Sequence, residues 1–408
     1  MTLPEWAEWR ADPGLPPYTV GLEEEVMLLD PRSLALEHRI DDVLVELSPW
    51  LAAHVGAETH GCTLELATGV GETVGDAVAE LAALRARLRS ELRPLGLCAA
   101  VAGTHPTAVW HDIRVSAGAR YQLLSESLRE LARREPTFAL HVHVGLPDAE
   151  TAIRVADRLR AHLPTFLALS ANSPFWQGRD SGMASVRTPL FQAFPRVGIP
   201  RRFGTYARYV EAIDVLLRAG AFPEPTFVWW DVRLQPRFGT VEVRIADAQT
   251  RVEDTAAIVA LVQAAAKLEA EEEFAPERLL AADEVLAENR FLAARDGMTA
   301  RFVDPVADRL VPARDVLAAL IEAAMPHAHE LGSTFGLDAA AALAEGPGAA
   351  RQRAVAARDG DLAGVLGALV AGFSAPRHGA SNGYAATSGV RGDLGLQGVG
   401  CDGMRPAT

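Results

Sequence analysis

Val20-Gly21-Leu22-Glu23-Glu24-Glu25-Val26-Met27-Leu28-Leu29 mixes aliphatic and acidic residues at a spacing that only a strand organises. Successive strand side chains point to opposite faces. Glu23 and Glu25 therefore share one face, and Leu22 and Val26 share the other, where Glu24 is the odd residue. The same division recurs along the chain. Glu65 opposes Leu64 and Leu66, and His141 and His143 oppose Leu140, Val142 and Val144. Asp231 and Arg233 oppose Val232 and Leu234, while Glu242 and Arg244 oppose Val241, Val243 and Ile245. A half-solvated sheet explains any one of these strands. It does not explain why all of them fill the polar face with Glu, His and Arg rather than Thr, Lys, Gln and Ser. Crowded carboxylates repel one another unless a cation neutralises them. Oxygen donors with some imidazole suit Mg²⁺ or Mn²⁺. The Arg fork suits phosphate or carboxylate. A metal–nucleotide site is the chemistry this face implies.

Outward from these strands, residues 74–92 repeat Val74, Val78, Leu81, Leu84, Leu88 and Leu92 at helical spacing, and Pro94 ends the helix. Residues 97–103 read as a short buried strand and 138–145 as a clean alternating one. Residues 149–170 read as a helix bent at Pro164, and 206–217 as another helix. Residues 172–200, rich in Gly, Pro, Ser and Arg, read as a long functional loop. Strands at 228–234 and 240–246 are joined by Gln235-Pro236-Arg237-Phe238-Gly239, which fits a hairpin. Thr250 and Glu253 form a capping box for a helix whose apolar side includes Ile258, Leu261, Val262, Ala265 and Leu268. The remainder to about residue 373 reads as helical. The expected fold is α+β: an antiparallel sheet with helices packed on one face and an open polar catalytic face. One catalytic domain spans 1–373, and 374–408 is a Gly, Ala and Ser-rich tail without a periodic apolar face, expected to be flexible.

Composition excludes several function classes. The 408 residues are 49% hydrophobic with a net charge of −14, which disfavours nucleic-acid and anionic-membrane partners. No apolar run reaches the length of a membrane span. Acids and two Trp occupy the first ten residues, where a secretory leader would be basic and then apolar. Cys62, Cys98 and Cys401 have no paired spacing, so a reducing, cytoplasmic setting is expected. Lys267 is the only lysine. A P-loop and a protein-kinase strand each need a lysine on the phosphates, and no glycine-rich loop precedes this one. Any ATP chemistry must rest on carboxylate-held metal and arginine.

Five quoted segments carry a resemblance: Gly21-Leu22-Glu23-Glu24-Glu25, Leu64-Glu65-Leu66-Ala67-Thr68, His141-Val142-His143-Val144-Gly145, Ala171-Asn172-Ser173-Pro174-Phe175-Trp176 and Val241-Glu242-Val243-Arg244. In this order, over roughly residues 18–373, the chain resembles the glutamate–cysteine ligase 2 family, or carboxylate–amine ligases. That family is similar in fold to the glutamine synthetase catalytic domain and the guanidino kinases. The resemblance implies an ATP-dependent ligase acting on amino-acid-like carboxylate and amine substrates, with Mg²⁺ or Mn²⁺. It implies metal-site roles for Glu23, Glu25, Glu65, Glu242 and His141, with Glu58 added by its spacing from Glu65. His143 is expected near nucleotide, Arg233 and Arg244 on phosphate or substrate carboxylate, and Asn172, Arg179 and Arg187 on a loop flanking the substrates. Alternatives are a guanidino-kinase-like phosphotransferase, a non-catalytic nucleotide- or metal-binding protein on the same scaffold, and a metal-dependent hydrolase. The choice of carboxylate and amine is open, as is oligomeric state, a homodimer included.

Overall fold

The computed structural model describes residues 3–134 and 136–373. The tail expected from residue 374 lies outside the described residues. Seven strands form one sheet: β1 (Val20–Leu29), β2 (Val55–Ala57), β3 (Thr63–Ala67), β4 (Cys98–Ala100), β5 (Ala139–Gly145), β6 (Val232–Gln235) and β7 (Thr240–Asp247). Their order is β6-β7-β5-β1-β3-β2, with β4 pairing the far end of β1, and every pairing is antiparallel. The period-two alternation fixes the register. Glu23 pairs His141, Glu25 pairs Glu65, and Glu242 pairs both His143 and Arg233. A one-residue slip would turn the acids into the core.

Helices cover the aliphatic face, as the alternation implies. They include α1 (Val74–Leu92), α3 (Ala149–Leu159), α4 (Leu163–Ser170) and α6 (Val252–Glu271); the chain also forms α2 (Ala119–Leu128), α5 (Arg187–Phe191) and α7 (Asp283–Asp296). Of these, α1 packs on β1 and β3, and α6 packs on β5 and on α1. Leu22, Val26, Leu64, Leu66, Val142, Val144, Val241 and Val243 are buried in this core. Glu24 points the same way and is fully buried. Arg85 of α1 grips both its oxygens, Nε to Oε2 at 2.7 Å and Nη2 to Oε1, and also donates to the carbonyls of Gln249 and Thr250.

Several local expectations change. The 149–170 helix is two helices, α3 and α4, with Pro164 in the first turn of α4, where a missing N–H costs nothing. The 228–234 strand breaks at Asp231. Trp229–Trp230 pairs in parallel with Val197–Gly198, and only β6 joins the sheet. The capping box at Thr250 does not form: Arg251 is the N-cap of α6, and the Thr250 hydroxyl bonds the carbonyl of Val101 and the Asn172 amide instead. A hairpin of Arg301–Asp304 and Arg309–Pro312 interrupts the helical C-terminal half. The 235–239 turn holds as expected. Gly239 has φ 63°, and a Cβ there would sit 2.7 Å from Ala11 Cα.

Candidate active site

The polar face is built from neighbouring strands, so register alone assembles it. Glu23 and Glu25 come from β1, Glu65 from β3, His141 and His143 from β5, Arg233 from β6, and Glu242 and Arg244 from β7. Glu58 follows β2 at the sheet edge, with Oε2 accepting the Thr59 N–H at 3.0 Å. β7 carries a bulge between Val243 and Ala246, opposite His141. The extra residue re-aims Arg244, whose N–H bonds the carbonyl of Asp231 at 2.8 Å.

His141 is the hub. Its Nδ1 lies 2.9 Å from Glu23 Oε2 and 3.9 Å from Glu242 Oε1, and its Nε2 lies 4.0 Å from Glu25 Oε1. Two sets have ligand atoms within 4.8 Å of one another: Glu23, His141 and Glu242, and Glu25, Glu65 and His141. Burial, and then the Arg244 charge, push the His141 pKa down to about 4. The ring is neutral at pH 7. With its Nδ1–H given to Glu23, its Nε2 lone pair faces Glu25 and Glu65, the arrangement of a ligating histidine.

The two sets differ in charge. Glu242 is fully buried between cations. It accepts Arg233 Nε at 2.6 Å and Nη2 at 3.2 Å, Gln235 Nε2 at 2.7 Å, and Arg244 Nη1. Burial would raise its pKa, but Arg233 and Arg244 outweigh that and hold it well below the usual range. Glu25 accepts the Ala139 N–H at 2.6 Å but has no arginine ion pair among the described residues. Burial and the Glu58 charge push it up to about 8. Glu65 is also raised well above the usual range, by burial and then by Glu23, Glu58 and Glu25. Burial raises Glu58 as well. Glu25 thus retains its proton at neutral pH unless a cation displaces it, and Glu58 and Glu65 hold theirs more tightly than ordinary carboxylates. Carboxylates with one imidazole are the donor set of a hard divalent cation, and the residues fit one. Glu23 is held low despite burial by His143 and His141. The His143 pKa is raised: Glu23 and Glu242 overcome its burial. Its Nδ1 bonds Thr240 Oγ1 at 2.9 Å.

The remaining expected residues separate. Arg187, on α5, is buried beside the cluster, donating to the carbonyls of Ile245 and Arg244. Arg233 is fully engaged. Besides Glu242 it donates to the carbonyls of Thr226 and Val228, so it positions Glu242 and has little left for a ligand. Asn172 is buried with its amide on Ala248 O, Thr250 Oγ1 and Gln352 Nε2. It anchors the 172–188 segment on the end of β7, together with Asp247, which accepts Asn172 N and Ser173 Oγ. Arg179 is exposed on the two-residue strand Arg179–Asp180 and makes no ion pair among the described residues. Neither Asn172 nor Arg179 is brought to the acids.

Sequence reading missed the roof. Residues 104–137 leave and return through a Thr104–Thr137 bridge. At one end Ser116 N bonds Thr59 O at 2.9 Å and Gly61 N bonds Arg114 O at 2.9 Å, on the β2–β3 edge. At the other end Arg120 pairs with Glu224, and Leu124, Leu128 and Ala132 pack on Phe222, Phe227 and Val228, just before β6. The segment therefore joins the two edges of the sheet, across the face the helices leave uncovered. This segment roofs part of the polar face, and Glu23 and Glu25 remain partly accessible. Tyr121 and Leu131 were the available signal, apolar residues between turns, but their partners lie about a hundred residues away.

With this geometry in hand, known proteins can be set beside it. Residues 19–372 match the model of glutamate–cysteine ligase family 2. A Rubrobacter xylanophilus protein provisionally named glutamate–cysteine ligase 2-1 is 40% identical over 356 residues, 87% of this chain and 94% of the relative. A Herpetosiphon aurantiacus protein, provisionally named glutamate–cysteine ligase 2, is 37% identical over 367 residues, 89% of this chain and 95% of its own. Among solved structures, a glutamate–cysteine ligase from Francisella tularensis in complex with AMP aligns with a TM-score of 0.65. That match covers 91% of each chain at 12% identity, so it speaks to fold alone.

Proposed function

This chain belongs to glutamate–cysteine ligase family 2, and on that premise we propose that it is an ATP-dependent carbon–nitrogen ligase. It joins a small amino-acid carboxylate to an amine and releases ADP and phosphate. The names of its relatives favour glutamate and cysteine as the pair. Residues 1–373 act as one catalytic unit, in a cytoplasmic setting.

The observation that carries this reading is the charge-unbalanced acid cluster set against guanidiniums on one roofed sheet face. Glu25, Glu65 and Glu58, with His141 and Glu23, would hold Mg²⁺ or Mn²⁺. Such an ion, when bound, offsets charge on the β- and γ-phosphates of ATP. A carboxylate does not react with an amine at neutral pH because its leaving group is too poor. The substrate carboxylate oxygen attacks the γ-phosphorus and the bond to ADP breaks. The amine nitrogen then attacks the acyl carbon, phosphate leaves with the bonding electrons, and the amine proton is lost. Arg244 stabilises charge on the transferring phosphoryl group. Glu242 and Arg233 hold Arg244 in place. His143 lies on the nucleotide side. The roof over residues 104–137 keeps water from the acyl phosphate. Lys267 takes no part: it pairs with Glu330 at 2.9 Å and with Glu271, on the helical side of the sheet.

A guanidino-kinase-like phosphotransferase would be expected to place a reactive Cys near the acceptor, and Cys62, the cysteine close to Glu65, does not suit that role, because its thiol is fully buried and pushed up to about 12. The test is phosphate release from ATP with L-glutamate, L-cysteine and Mg²⁺, extended over amino-acid and amine pairs. Release should require the metal and both substrates. Full release in EDTA, or with every amine omitted, would overturn the reading.

A further inference from the structure

Beside Arg244 a cleft is lined by Arg187, Arg290, Asp231, Phe191 and Trp229. Its donors outnumber its acceptors. Arg187 is 6% exposed; both its terminal nitrogens are taken by carbonyls, at 3.0 and 3.2 Å, and Nη1 also lies 3.7 Å from Asp247 Oδ1, while its buried Nε has no acceptor among the described residues. Arg244 gives Nη1 to Glu242, and its buried Nε has none either. Arg290, from α7, gives Nε and Nη2 to the two oxygens of Asp231 at 2.6 and 3.1 Å, and its Nη1 has no acceptor among the described residues. Asp231 is the one carboxylate lining the cleft, and Arg290 already occupies both its oxygens. Buried guanidinium donors without acceptors are costly, and an anionic oxygen group relieves them.

We propose that this cleft is the subsite for the carboxylate of an amino-acid substrate that does not react, with Arg290 and Arg187 as its guanidinium partners. The assignment rests on the ligase reading. A phosphoryl group shares the chemistry, but two features favour a carboxylate. Phe191 and Trp229 offer apolar walls for methylenes, and the Asp231 charge repels a triphosphate more strongly than a single carboxylate. Arg244 then stands between the two halves of the reaction: it lines the cleft, and its Nη1 lies 3.4 Å from His141 Nδ1.

The test uses the full chain and two variants. Arg290→Gln with Asp231→Asn removes the ion pair together and leaves no orphan charge. Arg290→Lys keeps charge without the fork. L-Glutamate, L-cysteine and inorganic phosphate are titrated by calorimetry, and KM is measured for each amino acid and for ATP. The double variant should weaken one amino acid by about tenfold or more, in Kd and KM, with the KM for ATP within about twofold. Arg290→Lys should fall between. Unchanged amino-acid affinity, wild-type protein that binds neither amino acid, or selective weakening of phosphate and ATP would each overturn the subsite. Wild-type protein that never couples ATP to an amide would overturn the ligase reading instead, and the calorimetric comparison still decides the cleft.

Discussion

Glu24 and Glu25 are neighbours on one strand and meet opposite environments. Glu24 enters the helical side, where Arg85 bonds both its oxygens and two carbonyls complete the guanidinium. Glu25 enters the polar side, where Glu58 and Glu65 are its neighbours and its pKa rises to about 8. One is a closed structural pair. The other is a buried carboxylate with no arginine ion pair among the described residues, and the proposed function makes it a metal-site acid. The polar face repeats the contrast internally, since Glu242 is closed by Arg233 and Arg244 while Glu65 is not. On the proposed function, charge balance separates scaffold acids from ligand acids, which residue type alone does not.

The largest effect falls on the closed pair. Arg85→Ala leaves Glu24 as a buried unpaired charge and should cost about 3–5 kcal/mol of stability, read by denaturant unfolding. Replacing both residues with apolar ones of similar size should recover most of that. A single-variant loss under about 1 kcal/mol would remove the contrast.

Next is turnover at the internal boundary. Arg244→Lys and Glu242→Gln should each lower ligase turnover by about two orders of magnitude, the scale of losing one transition-state donor. Because Glu242 is clamped by two arginines, Glu242→Gln should also lose about 1–3 kcal/mol of stability. Wild-type turnover in both would return this strand face to ordinary surface.

A smaller effect is linked to pH. Glu25 holds a proton in the metal-free fold below about pH 8, well above the ordinary 4.5. The stability this proton contributes is fully present below pH 4.5 and is lost as pH rises toward 8. Mg²⁺ must displace it, so metal affinity should climb by about tenfold per pH unit for each proton released, and flatten above pH 8. Calorimetry in buffers of different ionisation enthalpy measures the release. A pH-independent affinity between 6 and 8 would show that the acids are already ionised.

The smallest effect is on metal-free stability. Glu65→Gln removes a carboxyl whose ionised form is penalised by burial and by Glu23, Glu58 and Glu25, so the metal-free melting temperature should rise by about 2–4 °C while Mg²⁺ no longer adds stability. A fall would mean that Glu65 is scaffold, like Glu24.

Much of this was legible because a strand's two-residue period writes both faces into the sequence. The boundaries of β1 and α1, the antiparallel sheet, the lone status of Glu24 and the co-facial acids all follow from it. Features fixed by distant partners were not legible. Arg233 carries the same code as Arg244, yet carbonyls of residues 226 and 228 occupy it. Asn172 lies in a family-like segment and proves to anchor a loop through Gln352, 180 residues away. The bulge at Arg244 needs the register of β5 to be seen. The roof and Arg290 lie outside the sheet, where no alternation marks a residue's direction.

The central claim is that ATP activates a carboxylate here. The direct test uses amino-acid substrate labelled with ¹⁸O in its reacting carboxylate, with ATP, Mg²⁺ and the amine, and mass spectrometry of both products. The account predicts amide and phosphate in equal amounts, with one ¹⁸O carried from the carboxylate into each phosphate. Phosphate that is released without amide and without label would contradict it and make the polar face a site for ATP hydrolysis.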